Sequence, residues 1–322
     1  MTRVLVTGAA GFIGSHLVEA LARRGDEIVG IDNFDPFYPR PMKEANLAEM
    51  GRLPGFTFCE QDMLDVEAVA RLLTSDTVLV HLAAKAGVRP SIADPIGYAR
   101  ANVTGTAAVL EAARRAGASR IVFGSSSSVY GDSTPVPFRE DAVAVEPVSP
   151  YAATKRAGEL FLHSIAPIYG FRAVSLRFFT VYGPRQRPDL AIHAFARKMV
   201  EGRTLTLFGD GTQARDYTYC DDIVAGVLSS IEWTETAPVG VETFNLGGNR
   251  SIQTEAMVRE IADALGIEPR IEWAPMQPGD VQRTAADLTK SGAILGYAPR
   301  TPFPEGIRRF VAWFREAYGR TD

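Results

Sequence analysis

Short apolar runs and longer amphipathic stretches alternate along the first part of the chain. The apolar runs are rich in β-branched and aliphatic residues, as buried strands are, and they lie at residues 3–7, 28–31, 57–60, 77–81, 120–124 and 173–177. Apolar residues repeat at the helical period in stretches at 15–24, 103–116 and 152–169. Strands that alternate with helices pair in parallel, so the pattern predicts an α/β fold with a doubly wound parallel sheet.

After residue 178 the pattern loosens into connections rich in proline and glycine. Shorter runs predict strands at 204–207, 243–246 and 270–273, and helical periodicity predicts helices at 192–201, 221–231 and 255–265. We therefore expect a larger domain, 1–178, and a smaller C-terminal domain, 179–322, that caps the sheet. Residues 221–246 are expected to return to the larger domain.

The composition is that of a folded, weakly acidic protein. The chain has 322 residues, 46% of them hydrophobic, which is enough to bury a large core. Its net charge is −4 and its lysines and arginines are dispersed, so no electrostatic footprint for nucleic acid or an anionic membrane is present. No apolar run approaches about 20 residues and no signal-peptide pattern precedes the first strand, so we expect a soluble protein that is not exported.

Cysteine and histidine usage predicts neither a disulfide nor a metal site. Cys59 and Cys220 are each expected in a buried strand as small core residues, which fits a reducing compartment, the cytoplasm. In the sequence, no histidine lies at metal-ligand spacing from another histidine or from a cysteine. The four histidines are His16, His81, His163 and His193.

A glycine-rich turn follows the first predicted strand and precedes a predicted helix. Gly8 permits a tight turn, Gly11 lets the backbone approach a pyrophosphate, and Gly14 lets the helix pack close to the strand. The phosphates of a dinucleotide then meet the free N–H groups and the positive dipole end of the helix. Such a turn is weak evidence alone, because many strand-to-helix connections contain glycine.

Residues at the ends of the next strands strengthen the prediction of a dinucleotide site in a Rossmann-type sheet. Asp32 ends the second strand, where a carboxylate can bond both hydroxyls of an adenosine ribose. It would repel a 2′-phosphate, so NAD is favoured over NADP. Residues after the third strand lie where an adenine would bind, and small residues after the fourth leave room for the dinucleotide. These residues are Asp62, Met63, Leu82, Ala83 and Ala84.

Tyr151 and Lys155 are four residues apart in a predicted helix and therefore share one face. An ammonium group within several ångströms favours the phenolate, so the pair can act as a base toward an alcohol. The plain alternative is a helix-surface tyrosine stacked on a lysine stem.

The fifth strand ends in a run of serines, from Ser125 to Ser128. Carboxyl ends of strands face the ligand crevice in an open α/β sheet, so we expect these hydroxyls at a substrate. A serine-rich turn that satisfies local backbone groups is the alternative.

Five motifs occur in this order along the chain: the glycine turn, Asp32-Asn33, the serine-rich strand end, Ser149-Pro150-Tyr151-x-x-x-Lys155 and Val181-Tyr182-Gly183-Pro184-Arg185. Together they resemble the extended short-chain dehydrogenase/reductases that act on nucleotide sugars. The resemblance implies an NAD-binding domain at 1–178 and a mostly nucleotide-sugar-binding domain at 179–322. It implies Tyr151 as the base, Lys155 as its electrostatic partner and nicotinamide-ribose ligand, and Ser126 as the hydroxyl that bonds the reacting oxygen. Further implied NAD contacts are Phe12, Ile13, Asn33, Lys43 and Phe178.

The residues after Ser126 help to separate reactions within that family. Sugar 4,6-dehydratases carry an acid there to protonate a departing hydroxyl group. Ser127 and Ser128 offer no such acid, whereas removal of hydride at C4 and its return to the opposite face needs nothing more. A 4-epimerisation is therefore expected.

The run from Gly183 to Asp189 looks most like UDP-glucuronate 4-epimerases. The guanidinium of Arg187 can hold a C6 carboxylate through a bidentate pair. A loop arginine paired with Asp189 or Glu201 is the alternative. Further substrate contacts implied by the resemblance include Arg215 at the diphosphate, Phe208 at the uracil and Asp280 at the ribose or a lid. The others are Arg89, Thr180 and Arg185.

The expected function is thus NAD-dependent conversion of UDP-glucuronate to UDP-galacturonate through a transient 4-keto sugar, without decarboxylation. An epimerase of UDP-glucose or its N-acetyl form remains an alternative, and a non-catalytic NAD-binding protein is a further one. The helices at 103–116 and 152–169 have long apolar faces, with Leu160, Phe161 and Ile165 on the second, so a homodimer is also expected.

Overall fold

The computed structural model describes residues 1–143, 146–275 and 282–319. The strands are β1 (Arg3–Thr7), β2 (Glu27–Asp32), β3 (Phe56–Glu60), β4 (Val78–His81), β5 (Arg120–Ser126), β6 (Arg172–Phe178), β7 (Thr180–Tyr182), β8 (Leu205–Phe208), β9 (Ala214–Tyr219), β10 (Gly240–Leu246), β11 (Ser251–Gln253) and β12 (Ile271–Ala274). The helices are α1 (Phe12–Arg24), α2 (Arg40–Met50), α3 (Val66–Leu72), α4 (Val88–Ala93), α5 (Pro95–Tyr98), α6 (Gly105–Ala116), α7 (Pro150–Tyr169), α8 (Ala191–Val200), α9 (Cys220–Thr236), α10 (Thr254–Leu265), α11 (Thr289–Leu295) and α12 (Phe303–Tyr318).

The main sheet has seven strands in the order β3-β2-β1-β4-β5-β6-β10, and each neighbouring pair is parallel. This confirms the predicted α/β class. The chain leaves β1 toward one edge of the sheet and returns at β4 toward the other, so the direction of winding reverses between these two strands. A crevice for a ligand opens at the carboxyl ends of the strands where the order reverses.

Both faces of the sheet are covered, because side chains alternate across each strand. Val4 and Val6 of β1 belong to the core on the side of α1 and α9. Leu5, between them, belongs to the core on the side of α3, α6 and α7. These helices hold the strands in position and therefore fix the position of the crevice at the carboxyl ends of the strands.

The C-terminal half forms two small sheets that lie beyond the main one. β11, β9 and β7 form a three-stranded sheet, and β12 pairs with β8. Between β9 and β11 the chain returns through α9 to the main sheet. There β10 pairs with β6 from Gly240↔Arg172 to Leu246↔Phe178. Across the described residues, no helix combines the length and apolar character that crossing a membrane requires.

The structure differs from the expected elements at several places. Cys220 begins α9, so the prediction that it lies in a strand is wrong, whereas Cys59 lies in β3. The helix expected at 103–116 is preceded by a π-helical segment, Ala99–Thr104. Amphipathic α2, α3 and α12 were not expected. Apolar residues of α12, such as Phe310, are buried only through contacts with distant segments such as α10.

Candidate active site

The glycine turn between β1 and α1 leaves the start of the helix open. Gly8 has a φ of 72°, and a Cβ there would lie 2.9 Å from the backbone of Ala83. A Cβ on Gly14 would lie 2.1 Å from the carbonyl oxygen of Gly8, so the close approach of α1 requires glycine. Within the described chain, no side chain caps α1 at Gly11, and its first turn holds no acidic residue. The N–H groups and helix dipole are thus available to a phosphate.

Asp32 ends β2 beside this turn and forms a buried ion pair with α2. Its Oδ1 accepts hydrogen bonds from Nζ of Lys43 at 3.0 Å and from the N–H of Phe34 at 2.8 Å. Nζ of Lys43 also lies 5.1 Å from the centre of the Tyr38 ring. The carboxylate and the ammonium border the same cavity as Gly11, a placement that fits a ribose and its hydroxyls.

One cavity runs across the carboxyl ends of the parallel strands. Most of the residues predicted to bind NAD border it. They are Gly8, Gly11, Phe12, Ile13, Gly14, Asp32, Asn33, Lys43, Met63, Leu82, Ala83, Ala84, Tyr151, Lys155 and Phe178. Asp62 lies beside this lining, where its Oδ2 accepts a hydrogen bond from Nδ2 of Asn33 at 3.2 Å.

Several lining residues were missed by the sequence reasoning, among them Phe37, Tyr38 and Lys85. Phe37 and Tyr38 lie in the connection from β2 to α2, and the sequence analysis did not assign them to the site. Connections that leave the carboxyl ends of parallel strands border the ligand crevice. Applying that rule to every such connection would have included both residues.

Tyr151 lies in the first turn of α7, where its hydroxyl meets the end of β5. The helix begins at Ser149, whose Oγ accepts a hydrogen bond from the N–H of Ala152 at 3.1 Å. Burial raises the pKa of Tyr151, whereas a hydrogen bond with Ser126 and the charge of Arg187 lower it. The phenol therefore lies among groups that stabilise its anion, inside surroundings that disfavour charge.

Ser128 supports Ser126 at this point. The hydroxyl of Ser128 donates to Oγ of Ser126 at 2.9 Å, and the N–H of Ser128 lies 3.2 Å from the same oxygen. Ser126 is thus held at the end of β5 by the short helical turn Ser127–Tyr130. The structure brings Ser126 to Tyr151, and it directs the hydroxyl of Ser128 to Ser126.

Lys155 borders the cavity one turn after Tyr151, but its ammonium bonds the strand. Nζ donates to the carbonyl oxygen of Gly124 at 2.8 Å. Burial lowers the pKa of Lys155 to about 8, and the charge of Glu159 raises it. The charge of Arg187 lowers the pKa of Tyr151 in this structure, and the role of Lys155 as the electrostatic partner of Tyr151 stays a prediction.

Glu159 is fully buried one turn after Lys155 and joins α7 to the sheet. Its Oε1 accepts from Oγ of Ser125 at 2.7 Å and from Nε of Arg177 at 2.9 Å. Its Oε2 accepts from Nη2 of Arg177 at 3.0 Å and from Nη1 of Arg156 at 2.8 Å. Arg177 and the other donors lower the pKa of Glu159 against the effect of burial, so the carboxylate stays charged.

Arg187 borders the cavity together with Tyr151 and Lys155. Its Nε and Nη2 donate to the two carboxylate oxygens of Asp189 at 2.9 and 2.7 Å. Nη2 also lies 3.2 Å from the carbonyl oxygen of Ala86, and the guanidinium lies 5.0 Å from the centre of the Phe37 ring. The structure thus shows the pairing with Asp189 that was the alternative, at a guanidinium that also borders the cavity, and the contact with a sugar carboxylate stays a prediction.

Arg185 lies elsewhere, although it is two residues away. Its Nη2 pairs with Glu19 of α1 at 2.5 Å and with Glu49 of α2. These contacts hold the loop after β7 against the two helices behind the glycine turn. The structure does not bring Arg185 to the cavity, since the preceding Gly183, with φ 142°, and Arg185 itself, with φ 62°, turn the chain sharply.

The other predicted substrate residues lie on the C-terminal half or at its border. The guanidinium of Arg89 lies 4.9 Å from the centre of the Phe208 ring. Arg215 lies on β9, where its charge lowers the pKa of Tyr217 against burial. Thr180 begins β7 next to this strand, in register with Tyr217. Asp280 lies outside the described residues.

A separate cluster behind the site brings together His16, Cys220 and Asp221, whose potential ligand atoms lie within 4.8 Å of one another. Their separation in the sequence concealed this proximity. Nε2 of His16 lies 2.9 Å from the carbonyl oxygen of Pro184, and burial lowers the pKa of His16 while it raises that of the Cys220 thiol. The contact with Pro184 gives the imidazole a structural partner in the loop that carries Arg185.

Comparisons with known proteins show which family this chain is similar to. The family described as "NAD dependent epimerase/dehydratase family" matches residues 4–247. UDP-glucuronate 4-epimerase 4 of Arabidopsis thaliana is 40% identical over 331 residues, which cover 98% of this chain and 76% of that protein. UDP-glucuronate 4-epimerase of Thermodesulfobacterium geofontis is 38% identical over 315 residues, which cover 97% of this chain and 96% of that one.

A solved structure of UDP-glucuronic acid 4-epimerase from Bacillus cereus, in complex with UDP-glucuronic acid and NAD, is also similar to this fold. Its TM-score is 0.92 at 35% sequence identity, and the match covers 98% of this chain and 100% of that one. The similarity therefore extends over both halves of the chain, including the small sheets that follow residue 178.

Proposed function

Because the chain belongs to the NAD-dependent epimerase/dehydratase family, we propose that it is an isomerase that interconverts UDP-glucuronate and UDP-galacturonate. The reaction passes through a transient 4-keto sugar without loss of CO₂. The observation that carries the proposal is that Tyr151 and Arg187 border one cavity, with the arginine charge acting on the phenol. One residue can move the proton of a sugar hydroxyl and the other can attract a sugar carboxylate.

The residues present fit NAD. The open N-terminus of α1 suits a pyrophosphate, and the buried carboxylate of Asp32 suits an adenosine ribose that lacks a 2′-phosphate. Lys155 borders the same cavity and is proposed to bond the second ribose, and Phe178 borders the cavity as well. When bound, NAD supplies a reversible hydride acceptor.

Tyr151 carries the proton transfer. As its phenolate it removes the proton of the 4-hydroxyl group while hydride leaves C4, and the sugar becomes a 4-ketone. Ser126 bonds the reacting oxygen and stabilises the charge that develops there. After the sugar has turned over, the Tyr151 phenol returns its proton as hydride reaches the opposite face, and C4 is inverted.

A uronic acid adds one difficulty. A 4-keto-hexuronate is a β-keto acid, which loses CO₂ when the carboxylate stands out of the ring plane and overlaps the developing enolate. A guanidinium that holds the carboxylate near the ring plane slows that loss. Arg187 is the candidate, and Ser127, Ser128 and Thr180 are proposed to assist it.

The proposal is tested by incubating the purified protein with UDP-glucuronate and NAD and separating the sugar nucleotides by chromatography. UDP-galacturonate without any pentose is the expected product. UDP-xylose, or the 4-keto pentose that precedes it, as the main product would show a decarboxylase and overturn the proposal.

One observation favours a second candidate, the epimerisation of UDP-glucose or its N-acetyl form. Asp189 already pairs with Arg187 at both carboxylate oxygens, so the guanidinium is partly neutralised before any substrate binds. The ratio of kcat/KM for UDP-glucuronate and UDP-glucose decides between the two. A higher value for UDP-glucose would make the neutral sugar the substrate.

We further propose a homodimer and a cytoplasmic location. Leu160 and Phe161 of α7 are 53% and 43% exposed, and Ile168 and Tyr169 continue this apolar surface. α7 packs beside α6, so two such pairs from two subunits can form a four-helix bundle. Cys59 and Cys220 are both unpaired, which is compatible with the reducing cytoplasm.

A further inference from the structure

The ion pair between Arg187 and Asp189 occupies an edge of the guanidinium that can bind a carboxylate. Nε and Nη2 form one of the two edges of a guanidinium that can bind a carboxylate with two parallel hydrogen bonds. Both nitrogens donate to Asp189, at 2.9 and 2.7 Å. Nη2 further donates to the carbonyl oxygen of Ala86, and Nη1 bonds no residue that the structure describes.

The two members of the pair differ in their position relative to the cavity. Arg187 borders it, and its side chain is only 14% exposed, whereas that of Asp189 is 35% exposed and lies outside the lining. Phe37 and the carbonyl oxygen of Ala86 also contact the guanidinium. Asp189 is thus the more exposed member of the pair, and Arg187 has contacts at the cavity that do not involve Asp189.

We propose that Asp189 competes with the C6 carboxylate of the substrate for Arg187 and thereby loosens the hold on the sugar so that the 4-keto intermediate can turn over. This inference rests on the proposed function, because it requires a uronic acid as the substrate. Asp189 is a positioning residue that acts through Arg187 and does not itself touch the reacting atoms.

The physical reason lies in the order of events. The carboxylate must be recognised when the nucleotide sugar binds, but it must leave its first position before the opposite face of the ring can be presented. A guanidinium with no resident partner would hold the carboxylate in one orientation, which strengthens ground-state binding and slows the later step. Asp189 offers an alternative partner within the same loop, so release does not leave Arg187 unpaired in a largely buried position.

The test compares the unaltered enzyme with Asp189→Asn. Asparagine keeps the size of the side chain but lacks the charge. We expect KM for UDP-glucuronate to fall about fivefold to tenfold and kcat to fall by a similar factor. A tenfold change corresponds to about 1.4 kcal/mol. Reduced nicotinamide should accumulate during turnover, visible in the near-ultraviolet absorbance, because the 4-keto sugar waits longer before it is reduced.

A second measurement separates binding from turnover. Calorimetry of UDP-glucuronate with Tyr151→Phe and with Tyr151→Phe/Asp189→Asn should give a tighter Kd for the double variant. The matched control is Glu201→Gln, which removes a carboxylate paired with Arg197 and Arg203 at the other end of α8. It should alter neither KM nor Kd.

The opposite result would overturn the inference. If Asp189→Asn raises KM and weakens Kd, the carboxylate holds Arg187 in place for the substrate and does not compete with it. An unchanged KM, kcat and absorbance would overturn it as well. If the unaltered enzyme does not epimerise UDP-glucuronate, the proposed function itself fails and the inference fails with it, and this outcome is recognised before any variant is made.

Discussion

The ammonium of Lys155 donates to the carbonyl oxygen of Gly124 at 2.8 Å, so the cation of the Tyr-x-x-x-Lys motif is held by the strand that carries Ser126. Gly124 and Ser126 are both at the end of β5, while Tyr151 and Lys155 are both on the first turns of α7. This bond fixes the helix against the strand at the catalytic end. Alignment of the phenol with the serine therefore depends on Lys155 as well as on packing.

The pH dependence of the reaction should have an alkaline limit set by Lys155. Burial lowers its pKa to about 8, so the ammonium is present below this pH and is lost as the pH rises through it. A rate that needs the cation should fall above about pH 8. Glu159 raises the same pKa, so Glu159→Gln should move the alkaline limb of kcat/KM to lower pH.

Arg156→Gln is the matched control, because it removes a donor to Glu159 but leaves the carboxylate in place. Its alkaline limb should stay near that of the unaltered enzyme. Glu159→Gln also weakens a buried pair with Arg177, which can lower the free energy of unfolding by up to about 3–5 kcal/mol. Thermal unfolding should therefore be recorded for each variant, and an unmoved limb in folded Glu159→Gln would contradict the prediction.

Tyr151→Phe should reduce kcat by roughly 10²–10⁴-fold, because the variant lacks the group that accepts the hydroxyl proton. The fold should persist, since the aromatic ring of Tyr151 keeps its edge-on contact with Tyr98, whose ring centre is 6.3 Å away. Activity measured by chromatography and unfolding measured by circular dichroism check the two statements. Near-normal turnover in the variant would exclude Tyr151 as the base.

Gly14→Ala should weaken both the fold and NAD binding. The new Cβ would lie 2.1 Å from the carbonyl oxygen of Gly8, so α1 must move away from the turn, at about 1–3 kcal/mol. Gly292→Ala is the control, because its Cβ would meet only the carbonyl oxygen of Tyr297, at 3.6 Å, on an exposed helical position. Urea unfolding and titration with NAD should separate the variants, and equal stabilities would contradict the expected clash.

Arg187→Ala should lose discrimination between the two kinds of sugar. A charge-assisted hydrogen bond contributes about 1.5–3 kcal/mol, so kcat/KM for UDP-glucuronate should fall on the order of 10- to 100-fold. UDP-glucose has no carboxylate and should lose less. Arg197→Ala, at an exposed arginine of α8, is the control and should leave the ratio between the sugars unchanged. Equal losses on both sugars would assign Arg187 a structural role.

Leu160→Glu should prevent dimer formation if α7 is the interface. A charge buried at the centre of an apolar interface destabilises the dimer several times more than a charge on a free surface does. Light scattering should show a monomer for this variant and a dimer for Ile294→Glu, which places a charge on the exposed part of α11. A dimer in both variants would rule out this face.

The parts of the site that local spacing determines could be predicted from the sequence. Gly8 and Gly14 are constrained by a turn of a few residues, and Tyr151 and Lys155 by one turn of a helix. The ends of the parallel strands followed from the hydrophobic pattern, because strand ends in such a sheet meet at one edge.

The parts that depend on long-range contacts could not be predicted. Arg185 and Arg187 look equivalent in the sequence, but Arg185 pairs with Glu19, 166 residues away, whereas Arg187 pairs with Asp189 two residues later. Spacing cannot identify a partner from another helix. The hydrogen bond from Lys155 to Gly124 could not be predicted for the same reason, because this carbonyl oxygen belongs to a different element.

The return of α9 and β10 to the main sheet has a mechanical consequence. The polypeptide passes from one half to the other after β6, again before α9 and again after β10, so several covalent connections join the two halves. Protease cleavage at any one of them would leave the pieces associated, and heat should unfold both halves in one cooperative transition. The two halves can then separate to admit a nucleotide sugar only by a small motion in which all of these connections bend together. Rotation about a single connection is prevented by the others.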